Sequence, residues 1–188
     1  MQQLFLPGMT MPSRPAETHN AREALASYPD MTTTNLCRHA KVLGIAAELL
    51  VDSVLMRLGE RAYSTPEFER HDRVLLLPKG VQVRIQVKAR HCRTDTGSYV
   101  FNLKQRSARG ATGKGPYLPQ DFDVLAMVIL TEGVVYFSAD WQNRHVIQAG
   151  EIPGLRRNPR MSLDAALARL GHTDAIPGGW DDDLDLAA

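Results

Sequence analysis

Cysteine is nearly missing from this chain: Cys37 and Cys92 are the only two in 188 residues, and neither stands in a CxxC or Cys/His spacing. A disulfide framework and a structural zinc site are thereby set aside, and reduced thiols suit a cytoplasmic protein. Long apolar runs are missing as well. Nothing approaches the roughly 18 uninterrupted apolar residues that read as a membrane span. The N-terminus has no basic start leading into an apolar run and a small-residue cleavage site. The chain is therefore expected to be neither secreted nor membrane-bound. A nucleotide-binding P-loop is absent too, because Gly110, Gly113 and Gly115 do not follow the GxxxxGK[ST] order.

Net charge is almost nil at +1, yet the total hides a segregation. Residues 79–114 hold nine Lys or Arg against the single acid Asp95, a local balance of +8, whereas residues 174–188 carry five Asp and no Lys or Arg. A basic centre beside an acidic end suggests a surface for a polyanion, although such a run also serves simply as a solvated face. Hydrophobic content of 44% and charged content of 23% are ordinary for one globular domain with appendages and name no function.

What the chain does have is a clear β-ribbon. VQVRIQVKAR, residues 81–90, alternates apolar and polar side chains without a break, the period of a strand with one buried face. HDRVLLL precedes it, and Pro78-Lys79-Gly80 between them has the composition of a hairpin turn. Pairing Leu77 with Val81 sets Asp72 opposite Gln86. Leu75, Leu77, Val81, Val83, Ile85 and Val87 then form a core face, while Asp72, Gln82, Arg84, Gln86 and Lys88 gather on the other. A wetted sheet face is the plainer reading of that second set.

Around the ribbon the pattern is mixed. Residues 1–30 contain four prolines and no sustained period, as an unpacked arm would. From Thr32 to Leu58 apolar residues recur at helical spacing, with Thr or Asn as cap candidates and Gly59 as the stop. Glu48 borders the stripe of Val51, Val54, Leu55 and Leu58, where it either pairs with Arg38 or Lys41 or serves a site. Tyr63 falls in a short edge strand or loop. SYVFNLK, 98–104, reads as a strand that places Asn102 toward the polar cluster, and the Gly- and Arg-rich residues 105–120 as a surface loop able to track a phosphate backbone. FDVLAMVIL and GVVYFSA form a second hairpin through Thr131-Glu132-Gly133, with Asp123 as a turn or capping residue at its start. SLDAALARL is a helix capped by Ser162 and stopped by Gly171.

Phosphodiester hydrolysis uses a divalent cation to polarise the phosphate and lower the pKa of water, with a positive group near the developing charge. Mg²⁺ takes oxygen ligands, keeps several waters and needs only one or two carboxylates. Glu48 and Asp72 can supply these, Gln86 a carbonyl oxygen, and Lys88 the positive group.

The order of these residues resembles the PD-(D/E)xK nuclease superfamily and, within it, the group I intron-associated endonuclease branch. GIAAELLVDSVLMRLG with Glu48, HDRVLLL with Asp72, RIQVKAR with Gln86 and Lys88, then YVFN and YLPQDFDVLAMV leading to VVYF, carry the likeness across about residues 43–140. Gln-x-Lys follows that branch. A proline directly before Asp72 is missing, the nearest being Pro66. The resemblance implies an α/β, restriction-endonuclease-like core, a mixed central β-sheet with flanking helices. It implies a Mg²⁺-dependent endodeoxyribonuclease, with Mn²⁺ as a substitute ion, in which Glu48, Asp72 and Gln86 bind metal and Lys88 assists catalysis. A nuclease-fold DNA-binding module with little or no activity is the alternative. Arg84, Arg90, Arg93, Asn102, Lys104, Arg106, Arg109 and Lys114 are the expected contacts to double-stranded DNA. The expected organisation is a flexible arm (1–31), a nuclease-like domain (32–148) and a C-terminal extension (149–188) whose acidic tail could dock a basic protein. A double-strand cut implies a dimer or tetramer.

Overall fold

A computed structural model describes residues 16–103 and 117–175, with side chains from residue 21. The chain divides into two compact units, Met1–Lys41 and Val42–Ala188.

In the first unit, helix α1 (Ala16–Leu25) stands where sequence pattern gave no element. Helix α2 (Thr33–Arg38) begins at Thr32, whose hydroxyl accepts the Asn35 N–H at 3.3 Å as an N-cap should. The single helix expected from Thr32 is broken at His39, which leaves helical geometry at φ −103°, ψ 19° before α3 (Ala40–Arg57). Apolar periodicity runs through the break, so period alone did not locate it.

The second unit is built on a five-stranded mixed sheet. Strands β1 (Arg61–Ser64), β2 (Arg73–Leu76), β3 (Gln82–Arg90), β5 (Val124–Ile129) and β6 (Val134–Ser138) lie in the order β1-β2-β3-β5-β6. All neighbours are antiparallel except β3 and β5, which run parallel. The expected hairpin register is present: Leu77 N–H donates to the Val81 carbonyl at 2.8 Å, Arg73 pairs with Ile85, and Asp72 N–H reaches the Ile85 carbonyl at 2.9 Å. Its turn puts Lys79 at φ 61° and Gly80 at φ 77°, which brings the strands round in three residues. Val81 departs from the expected core face and is 36% exposed, because it caps the turn at the end of the ribbon.

A sheet with β5 buried along its whole length needs cover on both faces. One face packs on helices. Ala47, Val51, Val54 and Leu55 of α3 meet Leu75, Val83, Ile85, Ala126, Val128 and Phe137, together with Leu163, Ala166 and Leu167 of α5 (Arg160–Arg169). The other face is covered by a ribbon of β4 (Ser98–Asn102) paired antiparallel with β7 (Arg144–Gln148), and by α4 (Ile152–Arg157); Tyr99, Phe101, Ile147 and Leu155 pack on Leu125, Met127 and Ile129. Strand β4 therefore belongs to a separate two-stranded sheet. Asn102 is exposed opposite Arg144, rather than set beside the polar cluster of β3.

Helix α5 starts two residues earlier than its expected cap. Arg160 fixes that start by donating to the Leu58 carbonyl at 2.6 Å and the Glu60 carboxylate at 2.8 Å. Ser162 thus lies inside the helix, buried, where its hydroxyl accepts the Phe137 N–H at 3.2 Å. Gly171, at φ +85°, ends the helix as expected. Among the described residues no helix is long and apolar enough to cross a membrane.

Candidate active site

Alternation along β2 and β3 sends Asp72, Gln86 and Lys88 to the ribbon-covered side of the sheet and Arg73 to the helix side. Asp72 stands just before β2, so its carboxylate swings across to the neighbouring strand. One oxygen accepts the Val87 N–H at 2.7 Å and the Gln86 side-chain amide. Gln86 is buried at 5% exposure and also donates to the Val87 carbonyl at 3.1 Å, which fixes the amide against Asp72. The sequence placed these two opposite each other, and their side chains do meet.

Lys88 has a different neighbour. Its ammonium donates to the Tyr117 hydroxyl at 2.8 Å and lies 4.8 Å from the ring centroid. Tyr117 is not singled out by the sequence, because a partner 29 residues away in the chain leaves no periodic signal.

Glu48 reaches the site from α3 through a residue that pattern reading passed over. Arg73 is 5% exposed on the core face of the sheet. Its guanidinium donates to Asp52 at 2.6 and 2.9 Å, to Glu48 at 3.0 Å and to the Asp72 carbonyl at 2.7 Å. Glu48 and Asp52 are one helical turn apart, so a single planar fork spans both. Glu48 pairs here with Arg73, a partner that was not among those expected. The signal was available: Arg73 shares parity with Leu75 and Leu77, and a charge on a core face requires a partner. Burial, then the charge of Asp72, push the Glu48 carboxyl above the ordinary glutamate range, against the opposing pull of Arg73.

Of the basic residues expected at DNA, Arg84 is joined to Asp123 by a forked pair, with contacts of 2.7 and 3.0 Å, and also donates to the Gln120 carbonyl. Asp123 further accepts the Arg84 N–H at 2.8 Å, so it is an ion-pair partner rather than the simple turn or capping residue expected. Burial works to raise its carboxyl, and the Arg84 bonds hold it below the usual aspartate range. Arg90 donates to the Val100 carbonyl at 2.7 Å, while Arg93 bonds Tyr99 at 3.1 Å and Glu132 at 2.6 Å. Lys104, Arg106, Arg109 and Lys114 lie outside the described residues, as does the acidic tail from residue 176.

Among the described residues, no group of three or more His, Cys, Asp or Glu side chains is placed to hold a metal ion. Two carboxylates and an amide make a smaller set, of a kind that suits Mg²⁺ and its retained waters. Burial is the larger cause of the raised Glu48 carboxyl and the charge of Asp72 the second; a divalent cation would offset that second part, and in this respect the residues fit such an ion.

A five-stranded mixed sheet flanked by helices, with polar groups converging where β2 begins beside β3, defines a nuclease-like α/β fold. The chain is similar in structure to the bacterial homing endonuclease I-Ssp6803I: TM-score 0.52, 18% identity, 69% of this chain and 97% of that one covered. No family model and no curated protein matches the chain.

Proposed function

We propose that this protein is a metal-dependent DNA endonuclease of the PD-(D/E)xK type. The observation that carries the reading is the bond between Gln86 and Asp72, with Lys88 two residues on along the same face of β3 and Glu48 in electrostatic reach, in a fold similar to that of a homing endonuclease. Glu48 and Asp72 would hold Mg²⁺ or Mn²⁺, and the carbonyl end of the Gln86 amide would complete the set. Such an ion supplies a polarised phosphate and a water of lowered pKa. Asp72 stays in place because a backbone N–H and the Gln86 amide both donate to it. Lys88 places positive charge and an N–H donor where the phosphate gains charge. A double-strand cut needs two such sites, hence a dimer or tetramer.

A second reading, a DNA-binding module that cuts weakly or not at all, is favoured by one contact: Arg73 already neutralises Glu48 at 3.0 Å and competes with any cation there. Two measurements separate them. Calorimetric Mg²⁺ binding lost in Asp72→Ala, with cleavage of a genomic DNA library lost in the same variant, supports the enzyme. Salt-sensitive DNA binding with neither metal binding nor cleavage leaves the module.

A further inference from the structure

Lys88 is the one member of the proposed set whose described partner is a neutral aromatic residue, and that residue is itself packed against anchored neighbours. Tyr117 packs edge-on against Phe122, with centroids 5.4 Å apart and planes at 83°. Phe122 is itself 4% exposed and stacks on Trp141 at 4.9 Å. The Arg70 guanidinium lies 5.8 Å from the Tyr117 ring and pairs with Asp121 at 2.8 Å. Asp121 in turn accepts the Leu118 N–H at 2.7 Å, closing the turn that follows Tyr117. Asp121, Phe122 and Asp123 are thus each anchored, and the tyrosine ring inherits its place from them.

A flexible lysine loses about 2 kcal/mol of rotamer entropy when its head is fixed, so a preset partner has kinetic value. The Tyr117 oxygen accepts one ammonium N–H, and the ammonium lies 4.8 Å from the ring centroid, off its hydroxyl end. Two ammonium hydrogens remain for water or phosphate oxygen, and the phenolic proton is not consumed by the bond to Lys88. A carboxylate in the same place would hold the ammonium more tightly but repel the phosphate. The neutral hydroxyl orients without that repulsion.

We infer that Tyr117 is the positioning residue of Lys88, fixing its ammonium toward the phosphate site of the proposed nuclease. The inference rests on that functional reading, and the variants are chosen so that the two fail separately. Tyr117→Phe keeps the ring and its packing and deletes only the hydroxyl. With Mg²⁺ and cleavable DNA it lowers kcat about tenfold at unchanged KM, the scale of one hydrogen bond to a charged group. Its thermal midpoint stays at the wild-type value. In a Lys88→Ala background the same change has no further effect on kcat, since a residue acting through Lys88 has nothing left to act on. Independently of turnover, the Lys88 ammonium resonance, assigned by its loss in Lys88→Ala, is protected from exchange in the wild type and broadened in Tyr117→Phe. Wild-type kcat in Tyr117→Phe, equal losses with and without Lys88, or an unchanged ammonium resonance would each overturn the assignment. Cleavage at the wild-type rate by Lys88→Ala overturns instead the nuclease role of Lys88 itself.

Discussion

Replacing Arg73 with methionine is the most informative perturbation of the fold, because this side chain joins the helix layer to the sheet just where the site lies. The change keeps an apolar stem of similar reach and removes the guanidinium, leaving Glu48 and Asp52 without their shared cation, while the Asp72 carbonyl loses one donor and keeps the Thr65 N–H at 3.2 Å. Breaking a buried pair costs about 3–5 kcal/mol. Both carboxylates here are 30% exposed, so water screens part of that, and about 2 kcal/mol is expected. In a domain of this size the melting point falls by about 4–8 °C. The loss also depends on pH. The Glu48 carboxyl is already raised in the folded state, so its share of stability is complete below the ordinary glutamate pKa and fades as pH rises through the raised value. Arg73 lowers that value, and removing it widens the window upward. Urea unfolding of the variant should therefore show the larger deficit near neutrality and a smaller one on acidification, as the glutamate takes up a proton. A deficit that does not change with pH would refute the electrostatic account and leave only lost packing.

Asp72→Asn keeps the shape but removes the charge; we expect metal-dependent cleavage to fall about a hundredfold or more while the fold survives, checked by cleavage assay and circular dichroism. Ser162→Ala strands the Phe137 N–H beside α5, and urea unfolding should register a loss of about 1–3 kcal/mol although the residue looks like a dispensable helix serine. Leu167→Ala opens the core beneath the sheet and should cost about 2–5 kcal/mol by the same measurement. Arg84→Ala unpairs the half-buried Asp123, whose depressed carboxyl contributes stability above the ordinary aspartate pKa that is lost on acidification; the variant should be less stable than wild type near neutrality and converge with it in acid, as followed by unfolding across pH.

How much of this was legible in the sequence follows from how local each signal is. The β2–β3 hairpin was readable to the residue, because Pro78-Lys79-Gly80 fixes the turn and strict alternation fixes the faces, so the approach of Asp72 to Gln86 came with the register. The same alternation contained Arg73 on the core face, a clue outweighed by the apolar run around it. The β4–β7 ribbon was not readable: its strands are five residues each and more than forty residues apart in the chain, and nothing in SYVFN states that RHVIQ is its partner. The break at His39 was hidden for the opposite reason, since apolar spacing continues smoothly across it. Side-chain partners set by tertiary structure were invisible altogether: Tyr117 for Lys88, Asp123 for Arg84, Phe137 for Ser162.

Asp72 and Arg73 are consecutive residues whose side chains leave the backbone on opposite sides of the sheet, and this explains why the two halves of the candidate site are not independent. Arg73 holds Glu48 and Asp52 on the helix side and grips the Asp72 carbonyl with the same guanidinium, so any movement of Glu48 is felt in the backbone of the residue whose carboxylate faces Gln86. On the proposed reading, a cation at Glu48 takes that carboxylate from Arg73 rather than from water. Its affinity is then a difference between two attractions, smaller than two free carboxylates would give. Part of the cost returns through Asp52, which retains Arg73 at 2.6 Å and spares the guanidinium from being buried alone. On the same proposed reading the second acid on α3 would let the first serve a metal without dismantling the fold, which is a physical reason for Glu48 and Asp52 to stand one turn apart.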